Sequence, residues 1–498
     1  MANNESNKPN YRCKAYVAMS RAWRIVRDVS KTALHLRDLG NAYLPQFPAE
    51  HNDDYKSRRE AATLFNAYAR TVQGLVGMVF KKNPVLNDDV PAAIKRHAEN
   101  IDLAGSHLDV FSKEAFNDLF DGHVLVLVDM QKALEAGATL EDEIKAGRRP
   151  YWVKYTADQA VNFRSLTIDG EKVIGQITFE EETNVETGEY GETTVMRYRT
   201  FRLIPYMDAV SRELKHMVVW ELKEKQKGLN GEDVFPIIDE GTVAGFSRIP
   251  VAVAYGKRTG FLQSQPPLLD LALLNISYYQ KKSDRDQNLH KCNFPIPIFK
   301  GLEEHIKKVE VGSGLGIRVP ADGDAFYMEP AGNSLEAARL DLQDLRGEMA
   351  ALGLSIIAGQ PQVEATAAET IIDFTQESSE LETMARSFSD MLEQCMSFHA
   401  QYLGLGEDKG GSVSMGTHLK SMRLTQAQIA TYSSMAAQDQ LSHLTLWEIM
   451  QNSDALPDTF DAKIEEQRLK DQAKNLGAGL LKQFDKGAGA ESGAGADQ

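Results

Sequence analysis

Cysteine is the first scarcity. The 498 residues hold three, Cys13, Cys292 and Cys395, far apart and with no CxxC spacing. Neither a disulfide framework nor a zinc site is indicated, and a reducing compartment fits. Long apolar runs are missing too. No stretch approaches the ~20 apolar residues of a membrane-spanning helix, so no membrane span is expected. The N-terminus, MANNESNKPNYRCK, lacks the apolar core of a signal peptide. HExxH, GxSxG and GxxxxGK[ST] are all absent, as is any Cys/His nucleophile signature, so no motif supports an enzyme or a cofactor. Positive charge is in deficit: 55 Lys and Arg face 71 Asp and Glu, a net charge of −16. A general nucleic-acid binder normally carries a basic face. An acidic wall instead repels phosphate and lets DNA pass without gripping it.

What is present is enough chain for about two to four domains. Residues 1–10 are polar and read as disordered. Tyr11 to Leu39 reads as helical, Gly40 to Asp54 as a loop with two prolines, and Tyr55 to Phe80 as a strong helix. In that helix Leu64, Ala67, Tyr68, Thr71, Leu75 and Met78 recur at helical spacing. A helix over Val110 to Phe120 leads into HVLVLVDM (His123 to Met130), a short apolar run that reads as a buried strand. From Pro150 to Tyr255 the pattern is one of strands separated by turn-like spacers, a mostly antiparallel module of about 100 residues.

A helix is expected over Leu268 to Lys291. It begins apolar and from Gln280 turns polar on every side (QKKSDRDQNLHK). Such a helix cannot be buried in one subunit's own core and needs neighbours. A Pro/Gly-rich insert, Asn293 to Pro330, follows. A second helix is expected over Ser334 to Ile357, with Ser334 as its N-cap. Its apolar stripe is Leu335, Ala338, Leu342, Leu345, Met349, Leu352 and Ile356. AGQPQVEATA (358–367) interrupts it, and a third helix, Ala368 to Tyr402, carries Ile371, Phe374, Leu381, Met384, Phe388, Met391, Cys395 and Phe398. Beyond a loop at 404–416, helices are expected over Thr425–Gln438, Leu441–Gln451 and Asp461–Gln483. The tail KGAGAESGAGADQ is low-complexity and reads as disordered.

Four groups of residues invite a chemical reading. Gly312-Ser313-Gly314-Leu315-Gly316 has the look of a phosphate-cradling loop, but IRVP follows where a helix is needed, so a hairpin turn fits better. His290, Cys292 and His305 match no common zinc spacing, and Glu303-Glu304-His305 lacks a second half. Asp53-Asp54 and Asp88-Asp89 sit in loops and read as solvated. Glu336, Arg339, Asp341, Asp344, Arg346 and Glu348 on the second long helix read on their own as a solvated face.

The order of these parts resembles the portal proteins of tailed double-stranded DNA bacteriophages. The resemblance rests on YKSRREAATLFNAYARTVQGLVGMVF (55–80), the strand-rich middle ending in IPVAVAYG, and the 266–402 unit, and it covers roughly residues 11–475. It lies in order and spacing, since portals carry no catalytic residues. It implies an α+β fold, mainly helical with a β-rich wing. The wing would be 11–265, with its β-rich part at 150–256. The stem helices would be 266–292 and 331–357, flanking a small α/β clip at 293–330. A tunnel loop at 358–367 would contain Gly359, Gln360, Pro361 and Gln362. A kinked wing helix and loop (368–416), a helical crown (417–485) and a disordered tail (486–498) would complete the chain.

The resemblance further implies a homo-oligomeric ring, a dodecamer, at one capsid vertex of the virion, assembled in the host bacterial cytoplasm. Double-stranded DNA would pass through its channel during packaging and ejection. The implied partners are the terminase large subunit, a head-completion or adaptor protein, and the major capsid and scaffolding proteins; no membrane, metal or cofactor is implied. Glu336, Asp341, Asp344 and Glu348 become candidate channel-lining acids. Lys281, Lys282 and Arg285, with Lys291, become candidate stem contacts, and their alternation of charge favours pairing with an adjacent subunit. The alternatives are another virion structural protein or a metal-dependent nucleic-acid-processing enzyme.

Overall fold

The computed structural model describes residues 4–132, 142, 146–208, 212–228, 230–292, 296–300, 324–328, 333–354, 367–415, 432–436, 441–452, 456 and 460–471. The glycine-rich 312–316 segment, Glu303, Glu304, His305, Gly359, Gln360, Pro361, Gln362, Lys486 and the C-terminal tail lie outside the described residues. The chain is α+β and divides into two compact units, Met1–Thr417 and His418–Gln498.

The first unit opens with α1 (Lys14–Ser30), α2 (Ala33–Leu39), α3 (Asn52–Ala61) and α4 (Ala67–Val79), then the short strand β1 (Val85–Leu86), α5 (Ala92–His97) and α6 (Leu108–Asp118). The strands follow: β2 (His123–Met130), β3 (Pro150–Thr156), β4 (Ala160–Ile168), β5 (Glu171–Glu186), β6 (Glu192–Met207), β7 (Leu214–Glu224), β8 (Gln226–Lys227), β9 (Asp233–Val234), β10 (Ile237–Val243), β11 (Val251–Tyr255), β12 (Lys257–Gly260) and β13 (Gln263–Gln265). Helix α7 (Leu269–Cys292), strands β14 (Ile296–Lys300) and β15 (Asp324–Met328), helices α8 (Asn333–Met349) and α9 (Ala367–Tyr402), and strand β16 (Val413–Ser414) complete it.

Two antiparallel sheets dominate, a five-stranded one in the order β10-β7-β6-β5-β4 and a three-stranded one in the order β11-β2-β3. Strand β2 is buried from His123 through Val128, which is why its sequence is a continuous apolar run rather than an alternation. The sheets are joined by a polar knot. Arg199 on β6 reaches Asp129 on β2 at 2.9 Å and Glu181 on β5 at 3.0 Å, while the Tyr155 hydroxyl on β3 donates to Glu181 at 2.5 Å. Tyr155 also stacks on Phe179, with ring centroids 3.9 Å apart. Above β2, Phe80, Phe116 and Phe388 meet edge-on at 5.4–6.4 Å and lock α4, α6 and α9 together.

Two long helices expected at the N-terminal end are each broken in two, and one residue explains much of both breaks. Asn66 caps α4 by accepting from Ala69 N at 2.9 Å. Its amide donates to the carbonyls of Val29 and Lys31, which end α1. The separation of α3 from α4 is held from far along the chain: Asn275 on α7 accepts from Tyr68 N (3.0 Å) and donates to Phe65 O (2.9 Å). Side-chain amides thus supply the hydrogen bonds that a continuous helix would have made itself.

A histidine pair ties α5, β3 and α9. Trp152 Nε1 donates to His399 Nδ1 at 3.2 Å, so the imidazole hydrogen sits on Nε2, which donates to His97 Nδ1 at 2.9 Å. His399 is fully buried. Burial, with smaller contributions from His97 and Arg149, drives its pKa down to about 3.

In the second unit, α10 (His443–Asn452) is accompanied by helical residues 432–436 and 462–471. Trp447 meets Phe460 edge-on at 5.7 Å, and Gln451 donates to the Phe460 carbonyl.

Candidate functional site

Helix α7 begins after Pro266-Pro267, where Leu269 N and Ala272 N bond back to the carbonyls of Pro266 and Leu268. Its first half buries Leu271, Ala272, Asn275, Tyr278 and Tyr279. Its polar half is less bare than its composition implies. Gln280 donates to Tyr43 O at 2.8 Å, Lys282 bonds the Thr63 hydroxyl, and Ser283 is buried. Asp284 meets Arg58 at 3.2 Å. Burial raises the Asp284 pKa, and Arg58 opposes it. The fully solvated stretch starts only near Asp286. Asp286, Asn288, Leu289 and His290 are exposed.

Arg58 is the anchor of this contact. It is buried and grips both oxygens of Glu50 at 2.8 Å, while also donating to Pro45 O at 2.7 Å. Its guanidinium lies 4.4 Å from the centre of the Phe47 ring. The α3 segment and its preceding loop therefore clamp the middle of α7.

Helix α8 runs antiparallel to α7, as the pairs 278 with 346 and 281 with 341 require. Leu342, Leu345 and Met349 face inward as their spacing predicts. The helix starts at Asn333, so Ser334 lies inside it rather than capping it. It stops at Met349, and residues Ala350–Leu354 form a π-turn in which Gly353 has φ 147°. The wider turn shifts the phase, so Leu352 leaves the stripe and is 40% exposed. A largely apolar cavity of about 180 Å³ lies beside this turn, with Leu75, Phe120, Leu271, Leu352, Leu381 and Met384 among its walls.

The candidate charges sort into three groups. Lys281 and Asp341 meet at 2.8 Å within one chain. Both are nearly half exposed, which limits the bridge to about 1 kcal/mol or less. Lys282 lies 3.8 Å from Asp286. Glu336 is held by Arg339 one turn on at 2.6 Å, and this hydrogen bond keeps its carboxyl below the usual range. Asp344 and Glu348 are exposed, Arg285 is half-buried, and none of the three has a partner among the described residues. Arg346 is exposed yet engaged: it donates to the Tyr278 hydroxyl at 2.9 and 2.6 Å, and lies 5.4 Å from the Phe65 and Tyr278 ring centres.

Sequence reasoning did not single out Arg58 or Asn275. Asn275 left a signal, a lone amide in the apolar run LLNISYY at a position that must be buried. Arg58 left none, since RRE reads as a solvated face. Among the described residues no group of His, Cys, Asp and Glu could hold a metal ion, and no helix is long and apolar enough to cross a membrane.

Helix α7, the paired strands β14 and β15, and helices α8 and α9 follow one another within the first unit. A family model described as a domain of unknown function (DUF4055) matches residues 267–403, from the residue before Leu268 to the one after Tyr402. No curated protein matches the chain.

Proposed function

We propose that this chain is a portal protein of a tailed double-stranded DNA phage. In this reading it forms a ring at one capsid vertex and acts as the channel for DNA packaging and ejection. It docks the terminase and the head-completion proteins and performs no covalent chemistry. The observation that carries the reading is the coincidence of the matched region with two antiparallel helices flanking a pair of antiparallel strands, followed by one long helix. Domains of this family are common in phage-related proteins. In the portal reading α7 and α8 are the stem, β14 and β15 belong to the clip, and 358–367 is the tunnel loop.

The electrostatics support it as well. Asp344 and Glu348 are exposed on α8 with no partner among the described residues, and Asp341 spends its charge on Lys281 in the same chain. A ring of such helices presents surplus negative charge, over which DNA slides without adhesion. Ring closure through head-to-tail interfaces covers the solvated end of α7. The test is electron microscopy of the purified protein together with its mass in solution. Rings with a central channel and a mass near a dozen subunits are expected. A chain that stays monomeric at all concentrations, and also when co-expressed with its capsid and scaffolding proteins, overturns the proposal. With rings in hand, Asp341→Lys with Asp344→Lys is expected to lower packaging efficiency.

A further inference from the structure

Strands β5 and β6 outrun the sheet they belong to. The register of β4 with β5 ends at Ala160 and Phe179, and that of β7 with β6 ends at Glu224 and Arg197. One further backbone bond closes each side, Glu180 N to Gln159 O and Lys225 N to Met196 O. The ladder between β5 and β6 runs on to Glu186 and Glu192. Residues 182–195 therefore form a two-stranded ribbon with no third strand among the described residues. A ribbon of this kind is marginal on its own in water.

Its charge has one sign. Between Lys172 and Arg197 the sequence has no basic residue. Glu182, Glu186 and Glu192 share one face of the ribbon, Glu189 lies in its turn, and all four are exposed. None of them has a cationic partner among the described residues. Glu186 stands directly opposite Glu192, and like charges in that position push an antiparallel pair apart. The register thus holds a repulsion that cations from outside the ribbon relieve. At the turn Tyr190 is 92% exposed.

Helix α1 carries the counterpart. It buries Tyr16, Met19, Trp23 and Val26. On its other side Lys14, Val17, Arg21 and Arg24 recur at helical spacing, and all are exposed. The three cations have no carboxylate partner among the described residues, and no acid lies between Lys14 and Arg24 in the sequence. Val17, in their midst, is 59% exposed. The dimensions agree too, with roughly 15 Å of helix from Lys14 to Arg24 and roughly 13 Å of strand from Glu182 to Glu186.

We propose that the acidic ribbon of one copy docks on the basic face of α1 of the next copy. Glu182, Glu186 and Glu192 meet Lys14, Arg21 and Arg24 there, and the contact covers Val17 and Tyr190. Each copy carries both halves, so the contact is head-to-tail and propagates until a ring closes. In this it rests on the ring reading above.

The experiment is zero-length carbodiimide coupling of the assembled full chain, which joins a lysine to a carboxylate only where the two touch. A denaturing gel counts the linked copies, and mass spectrometry reads the linked peptides. A ladder of linked copies is expected, with Lys14 joined to Glu182, Glu186 or Glu192. Arg21→Glu with Arg24→Glu leaves Lys14 as the reporter and alters only exposed side chains, so an unchanged circular-dichroism melt is its folding control. It is expected to lower the yield of that link about tenfold or more, as paired charges become opposed ones. Adding Glu186→Arg with Glu192→Arg, and leaving Glu182 to be coupled, is expected to restore most of the yield. Rings in which Lys14 never joins the ribbon, or joins it equally in the folded variant, overturn the docking and leave the ring reading standing. A link found only within single chains does the same. A ladder that stops at two copies supports the docking and overturns the ring. A chain that stays monomeric overturns both.

Discussion

Replacing His399 with glutamine tests the buried histidine pair through its pH dependence. Folded His399 is fully buried and takes up a proton only near pH 3, whereas a histidine in the unfolded chain does so near pH 6.5. A depressed histidine pKa means that the unfolded state binds more protons. Stability is therefore lost as pH falls below about 6.5, and the loss levels off near pH 3. Between pH 7.5 and pH 5 the cost at this position is about 2 kcal/mol. His123, also driven to about 3 by burial, adds a similar amount. Asp121, whose burial pushes it up to about 6, acts in the opposite sense over the lower part of that range. The difference between wild type and variant isolates His399 from both. Glutamine keeps a donor and an acceptor but cannot titrate. Urea unfolding at pH 7.5, 6 and 5 is expected to show the variant's deficit narrowing by about 2 kcal/mol. A deficit constant across this range would refute the reasoning.

Arg58→Met leaves Glu50 charged and buried, and is expected to cost about 3–5 kcal/mol in urea unfolding. Adding Glu50→Leu is expected to return most of that loss, and a double variant as unstable as the single one would contradict it. Asn275→Leu removes the partner of Tyr68 N, at about 1–3 kcal/mol for the orphaned group, while Phe65 O keeps its bond from Ala67 N. It is expected to raise amide exchange at residues 62–68 before that of the sheets, which hydrogen-exchange mass spectrometry reads directly.

Legibility followed the range of the interactions. Strand β2 and the ends of α9 were readable to within a residue, because an apolar run and a helical stripe are local patterns. The breaks after Ser30 and Ala61 were not. They depend on Asn66 and Asn275, amides brought in from 35 to 210 residues away. The early end of α8 turns on Gly353, whose positive φ leaves no periodic trace. The polar half of α7 was read as wholly uncovered because Arg58, its partner, lies 226 residues earlier. Among the candidate site residues, exposure was anticipated for Glu336, Asp344 and Glu348. Lys281 finding Asp341 across the helix pair needed the antiparallel register that only the fold supplies.

Helix α9 has a mechanical consequence. Its 36 residues include neither glycine nor proline and span roughly 54 Å. A rod of this kind has no joint at which to absorb a push. Its far portion lies against β2, β3 and β11, and His399 there is bonded to Trp152. A displacement applied at Ala367 therefore arrives at the sheet as a tug on an indole, and Trp152 fluorescence is the gauge on which it would register.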